Sequence, residues 1–246
     1  MVDIHCHILP KIDDGSSGME ESVALARQAW ASGVEKIAAT PHFPGTEEAL
    51  ALLPRILGKT RRLQQELSLQ NIPVELVPGA EVLCLRQTPE LAQKGLLPTL
   101  GISRSVLTEF YFDMPGEEIT RMLGELSRLE YRPVVAHPER YEAVQENPML
   151  ALEWFDAGYV LQVNKDSVLG NLGRSAEQTA ARLLQMGIVH AIASDAHHVR
   201  GRNGDFSEIR RWTRRNLAPE YGRILLEENP RRILEGLAPV APEQGR

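Results

Sequence analysis

Short apolar runs recur along the chain, and between them lie longer stretches whose apolar residues return at helical spacing. The runs fall at residues 1–4, 35–42, 74–82, 103–111, 132–138, 159–164 and 190–197 and read as β-strands. The stretches at 19–33, 47–70, 116–130, 147–158 and 175–187 read as helices. Gly33, Gly158 and Gly187 each stand just before the next strand, a helix-stop signal. Pro54 lies inside the second helical stretch and should kink or split it. Only 83–102 lacks a clear helix and reads as irregular. Strands alternating with helices imply parallel βαβ units. Seven such strands, with no nucleotide-binding glycine fingerprint, suit an α/β barrel that is closed or nearly closed better than an open sheet. The chain shows no internal repeat or low-complexity tract, and the Pro-rich end after about residue 236, "GLAPVAPEQGR", is expected to fray.

Composition narrows the class. A length of 246 residues suits one large domain, 1–246, because barrels of this size fold as single units. Apolar content of 43% and charged content of 24% are ordinary for a chain with a real core. A net charge of -6 argues against broad binding to nucleic acid or anionic membranes. It leaves an anionic substrate open, since a metal ion and a few arginines reverse the sign locally. No basic segment precedes an apolar run at the N-terminus, and no stretch approaches eighteen apolar residues, so neither a signal peptide nor a membrane span is expected. Cys6 and Cys84 alone cannot make a disulfide framework, which fits a cytoplasmic protein.

The candidate chemistry lies at strand ends. The opening "MVDIHCHILPKIDDG" places His5 and His7 two apart, on the same side of a strand, followed by Asp13 and Asp14 in a turn ending at Gly15. The second strand ends at His42, the third at Glu81, the fourth at Glu109 and the fifth at His137. The seventh ends at Asp195 and His197. In a parallel α/β barrel all these ends open on one face, where active sites sit. Five of the seven histidines fall there. Glu81 in "PGAEV" and Glu109 in "LTEF" interrupt apolar strand patterns, and a carboxylate there is too costly unless paired or metal-bound. Imidazoles with carboxylates suit borderline divalent ions, Mn²⁺, Fe²⁺, Zn²⁺ or Co²⁺, and the absence of paired thiolates argues against a structural zinc site. Eight ligands, with Asp14 a ninth, exceed what one ion needs, so two or three ions are expected. Cys6 should point away from the His5/His7 face. His190 reads as a start-of-strand residue, and His198 as exposed or outside the ligand set.

These residues resemble the PHP (polymerase and histidinol phosphatase) superfamily: "DIHCH" its first motif, "ATPH" its second, "AHPERY" its third and "SDAHH" its fourth. Within it the chain is most similar to the bacterial PHP-type protein-tyrosine phosphatases of capsule and exopolysaccharide loci, through "IDDG", "TPHF", "TEFYF", "HPERY", "LQVNKDSVLGNLGR" and "SDAHHVRGR". The likeness runs from residue 1 to about 235. It implies a distorted (β/α)7 barrel with three divalent ions, manganese favoured. One ion would be held by His5, His7, Glu81 and Asp195, with Glu81 bridging. A second would take Glu81, Glu109 and His137, and a third Asp14, His42 and His197. The family's loop after the second motif is variable, and "FPGTEEALALLP" here gives no firm substrate contact.

The implied activity is hydrolysis of phosphotyrosine on protein, by attack of a metal-bridging hydroxide with no phosphoenzyme. The implied partner is the phosphotyrosine-bearing tail of a bacterial tyrosine kinase of polysaccharide synthesis or export. Cysteine-based catalysis needs an Arg six residues after the Cys, whereas Cys6 is followed there by Ile12 and Cys84 by Glu90. Arg140, three residues after His137, and Arg202, five after His197, are the expected phosphate clamp, with Arg200 a weaker choice. Histidinol-phosphate phosphatase is the rival within the superfamily. A nuclease or editing domain is disfavoured by the acidic balance, and a non-catalytic metal-binding module by the completeness of the ligand set. The Arg-rich stretch 208–223 reads as a solvated helix face.

Overall fold

The structure, a computed structural model, describes residues 1–241. The chain runs β1 (Val2–Cys6), α1 (Met19–Ala31), β2 (Lys36–Ala39), β3 (His42–Pro44), a 3-10 segment (Glu48–Leu52), α2 (Leu53–Leu69), β4 (Glu75–Pro78), β5 (Glu81–Leu83) and α3 (Thr88–Gln93). It continues through β6 (Ser105–Glu109), α4 (Gly116–Arg128), β7 (Arg132–Ala136), a 3-10 turn (Pro138–Arg140), α5 (Glu142–Glu146), α6 (Met149–Asp156), β8 (Val160–Asn164), α7 (Lys165–Val168), α8 (Arg174–Gln185) and β9 (Ala191–Ala193). Helices α9 (Ser207–Asn216), α10 (Pro219–Arg223) and α11 (Asn229–Leu234) close it, with a π-helical turn (Ile224–Glu228) before the last.

The strands form two parallel sheets, β1-β2-β4 and β3-β5-β6-β7-β8-β9. The expected strands 35–42 and 74–82 are each broken in two. Pro41 has no N–H to give a ladder, and Pro78-Gly79 interrupts its neighbour at the same level. Gly79 N still donates to Ala39 O (3.0 Å) and Glu81 N to Pro41 O (3.0 Å), so the two bend as a pair. Beyond the bend, His42 lies opposite Glu81. The end of the β9 segment returns to β1 through a parallel bridge between Cys6 and Ala196 and through Asp195 N donating to His5 O at 2.8 Å.

One face of the strands packs a small-residue cluster that includes Val2, Ile4, Ala38, Leu107, Val134, Ala136, Val160, Ala191 and Ala193, with Ile233 and Leu234 of α11 against it. The opposite face, with Cys6, Ile37, Val106, Val135 and Leu161, lies in the larger cluster shared with the helices. Strand β1 changes phase part-way: Val2 and Ile4 belong to the first cluster and Cys6 to the second. The cause is an irregular register between Asp3 and Cys6, where an extra residue is accommodated. His5 and His7 are thereby turned away from Cys6, as their spacing suggests.

Two sequence expectations change and one is met. The 83–102 segment contains a helix, α3, whose six residues are too few to show a period. The 47–70 stretch is split at Pro54 as expected, into the 3-10 segment and α2, with Pro54 in the first turn of α2. The chain after residue 236 is anchored as far as Val240, whose backbone exchanges two hydrogen bonds with the Asn229 side chain (2.7 and 2.9 Å). The remainder of that tail lies outside the described residues. Among the described residues no helix is long and apolar enough to cross a membrane.

Candidate metal centre

Strand β1 carries His5, and His7 follows one residue beyond its end; both enter one buried space, with their Nε2 atoms 3.3 Å apart. The loop behind them folds tightly because Gly15 passes against His7: a Cβ there would lie 2.3 Å from His7 O. That approach brings Asp13 under His7, whose Nδ1 sits 2.7 Å from Asp13 Oδ2. Asp13 also accepts from the backbone N–H of His42 (3.1 Å) and of Gly15 (3.1 Å), so one carboxylate joins the β1 loop to β3.

Hydrogen-bond partners fix which nitrogens face inward. His7 Nδ1 must donate to the Asp13 carboxylate, and His197 Nδ1 to the Asp195 carbonyl at 3.0 Å. Asn164 Nδ2 donates to Asp195 Oδ2 (2.6 Å), which leaves its Oδ1 to accept from Gln162 Nε2 (2.9 Å). Gln162 Oε1 then receives His5 Nδ1 (2.9 Å). Three imidazoles thus spend their Nδ1 protons outward and turn Nε2 toward the shared space, the arrangement of metal-ligating histidines.

Glu81 lies at the middle of the cluster. Its Oε1 is 2.9 Å from His137 Nε2 and 3.2 Å from His5 Nε2; its Oε2 is 3.0 Å from His42 Nδ1 and 3.2 Å from His7 Nε2. Oε2 is nevertheless buried with no well-directed hydrogen bond. A buried carboxylate oxygen among several nitrogens, none aimed correctly to donate, fits a cation between them. Glu109 is 3.5 Å from His42 and 3.8 Å from His137, and Asp14 is 3.3 Å from His42 and 3.6 Å from His197. The ligand atoms converge within 4.8 Å in four sets: His7, Asp14, His42 and His197; His5, His7 and Glu81; His5, His137 and Asp195; and His42, Glu81 and Glu109. All nine residues singled out in the sequence are therefore brought together. The sets differ in detail from those the resemblance implies, since His137 also converges with His5 and Asp195, and His42 with Glu81 and Glu109.

Backbone strain marks the same place. His137 (φ 35°) and Asp195 (φ 49°) both adopt the left-handed conformation, which costs a non-glycine residue about 1–2 kcal/mol. The protonation pattern is that of buried carboxylates and imidazoles that stabilise one another's charge. Burial opposes charge on Glu81 and Asp195, yet the neighbouring histidines hold both carboxyls well below the ordinary range. Burial likewise opposes charge on His42, but Glu109 and Glu81 raise it to about 10. His197 falls to about 3 through burial, with His7 and Arg202 adding to the shift.

Asp195 also meets both predicted arginines. Arg140 Nη1 is 3.5 Å from Oδ2, and Arg202 Nη2 makes a closer contact with the same oxygen. Arg202 Nε is buried and makes no hydrogen bond, a donor left free for an anion. Arg200 has no such partner among the described residues. His190 is structural: buried against Phe155 (5.1 Å) and lowered to about 4 by burial, it accepts from Leu161 N through Nδ1. His198 is half exposed and pairs with Glu21 (3.4 Å) outside the cluster. Cys6 and Cys84 are buried, and burial pushes both thiols up, away from nucleophilic thiolate.

The residues the sequence reading missed are Asp13, Gln162 and Asn164. In the sequence Asp13 has the ordinary role of a turn former. Gln162 and Asn164 did carry a signal, alternate polar positions within the apolar strand "YVLQVN".

Residues 1–235 match the family model for capsular polysaccharide synthesis, CpsB/CapC. The tyrosine-protein phosphatase YwqE of Bacillus subtilis is 34% identical over 206 residues, 82% of this chain and 80% of that protein. The tyrosine-protein phosphatase CpsB of Streptococcus pneumoniae is 29% identical over 244 residues, 95% of this chain and 98% of that one. A solved structure from work on YwqE and CpsB, described as metal-dependent tyrosine phosphatases, superposes with a TM-score of 0.86 at 29% identity. It covers 99% of this chain and 100% of the other.

Proposed function

The chain belongs to the capsular polysaccharide synthesis CpsB/CapC family, and from that premise we propose that it is a metal-dependent phosphatase hydrolysing phosphotyrosine on protein. The observation that carries the reading is the joining of two sites at one carboxylate. Asp195 Oδ1 lies 3.4 Å from His5 and 3.5 Å from His7, inside the cation cluster, while Oδ2 faces Arg140 and Arg202. Cation-holding and anion-holding groups thus meet at one point, which is what a phosphate ester requires.

The strands read best as a distorted (β/α)7 barrel, with the bent pairs β2/β3 and β4/β5 each counting once. The metal ligands are His5, His7, Asp14, His42, Glu81, Glu109, His137, Asp195 and His197, holding two to three divalent ions, with Mn²⁺ favoured. Ions held there supply the acidity that makes water a nucleophile near neutral pH and neutralise phosphoryl charge. The protein's own groups do the rest. Asp13, Gln162 and the Asp195 carbonyl keep three imidazoles turned inward. Arg140 and Arg202 orient the phosphoryl oxygens, Arg202 offering its free Nε as well as its terminal nitrogens. The phenolate, with an ordinary pKa of about 10, leaves more readily than an alkoxide, so no strong general acid is required. The natural substrate is the phosphotyrosine-bearing tail of a bacterial tyrosine kinase of polysaccharide synthesis or export, met in the cytoplasm.

Phosphate release from a phosphotyrosyl peptide and from histidinol phosphate, measured side by side on chelator-stripped protein restored with Mn²⁺, tests this. Metal-dependent release with strong preference for the peptide is expected. Preference for histidinol phosphate would move the protein to amino-acid biosynthesis with its metals intact.

A further inference from the structure

We propose that Phe112 is the specificity-determining wall of the site, selecting phosphate esters of aromatic alcohols by contact with the substrate ring. The inference rests on the phosphatase reading and names the residue that would make it tyrosine-specific.

Phe112 stands three residues beyond Glu109, on the loop leaving β6 at the face where the candidate ligands gather. Its ring lies 4.3 Å from the guanidinium carbon of Arg140. It meets the His137 ring nearly edge-on, with centroids 5.9 Å apart and planes at 75°. Behind it is Tyr141, 6.2 Å away and fully buried, its hydroxyl donating to Ala136 O (2.9 Å) and accepting from Phe110 N (3.3 Å). Phe112 O accepts from Glu142 N (2.9 Å), which fixes the loop to α5. The ring is therefore positioned by three neighbours and a backbone clamp, yet it remains 38% exposed, beside a Tyr111 that is 54% exposed. A large apolar ring held open at the mouth of an otherwise charged site marks a contact surface for a ligand.

The geometry points to the ligand's chemistry. Arg140 faces Asp195 at 3.5 Å, so Phe112 stands one guanidinium away from the groups that would hold phosphate. In phosphotyrosine the aromatic ring is one ester oxygen from phosphorus, which brings it to this wall whenever the phosphate is clamped. Offset or edge-to-face aromatic contact then adds affinity that an alkyl phosphate cannot obtain. The exposed part of the ring is what a substrate ring meets.

Inhibition by benzylphosphonate, whose methylene stands where the ester oxygen would, and by methylphosphonate separates ring recognition from leaving-group effects, because neither is hydrolysed. It would be measured on the Mn²⁺-loaded protein, its Phe112→Leu variant and its Phe112→Tyr variant. Wild type should bind the benzyl compound more tightly. Phe112→Leu should shrink that preference about 10-fold while leaving methylphosphonate inhibition within about twofold, and Phe112→Tyr should keep the preference. An unchanged preference in Phe112→Leu overturns the proposal. So does equal weakening of both inhibitors, which would make Phe112 merely a prop for Arg140. If wild type fails to hydrolyse a phosphotyrosyl peptide yet shows the phosphonate pattern, the parent reading fails and the wall stands.

Discussion

Asp195 divides its carboxylate between two tasks, one oxygen toward His5 and His7 and the other toward Asn164, Arg140 and Arg202. Arg202→Ala should therefore remove an anion contact without emptying the cation cluster. Turnover of a phosphotyrosyl peptide is expected to fall about 10²-fold, with metal content measured by elemental analysis unchanged. Asp13 acts differently, through the orientation of His7. Asp13→Ala should weaken Mn²⁺ binding about 10- to 100-fold, read by titration of activity against free metal. The contrast explains what was legible at this scale. A histidine or carboxylate at the end of an apolar strand is conspicuous, so eight of the nine converging residues stood out, and Asp14 took its place in the ligand set through the resemblance. Asp13 sat in an Asp-Asp-Gly turn whose ordinary chemistry explained it fully, and only the approach of Gly15 to His7 reveals its partner.

The elements gain their accuracy from irregularities rather than from regular strands. The register irregularity in β1 reverses its facing, and the paired breaks at Pro41 and Pro78-Gly79 set His42 opposite Glu81. Periodicity foretold seven strand positions, the parallel α/β alternation and five of the helices, α1, α2, α4, α6 and α8, because those rest on long repeated patterns. It did not foretell the breaks, which depend on Pro41 in one strand falling near Pro78-Gly79 in its neighbour, or α3, which is too short to repeat. Gly15 is the sharpest test of an element's dependence on one residue. In Gly15→Ala the new methyl would have to displace the backbone at His7, only 2.3 Å away. Reduced metal loading is expected, together with a stability loss of about 1–3 kcal/mol in denaturant unfolding. Normal loading in that variant would show that the loop has another way to fold.

For the molecule as a whole, an acidic chain concentrates carboxylates and imidazoles in one buried space, a concentration that bound cations would relieve. Chelation should then lower stability as well as activity. At metal concentrations about a hundred times the dissociation constant, binding contributes about 2.7 kcal/mol, so stripping should lower Tm by about 5–10 °C in calorimetry. A separate pH effect comes from His190. Its folded-state pKa, about 4, lies below the ordinary 6.5, so the unfolded chain binds the extra proton between those values. Stability from this residue is present above pH 6.5 and is lost as pH falls toward 4, about 3 kcal/mol in all. The variant His190→Gln should show a flatter profile over that window.

If the nine converging side chains form the proposed metal centre for phosphotyrosine hydrolysis, ion binding and hydrolysis must rise together. The direct measurement is metal bound per chain, followed together with phosphotyrosyl-peptide hydrolysis as Mn²⁺ is returned to chelator-stripped protein. Two to three ions per chain are expected at saturation, with activity absent before addition and rising with occupancy. Fewer than one ion per chain, or activity that survives complete stripping, would contradict the proposed centre.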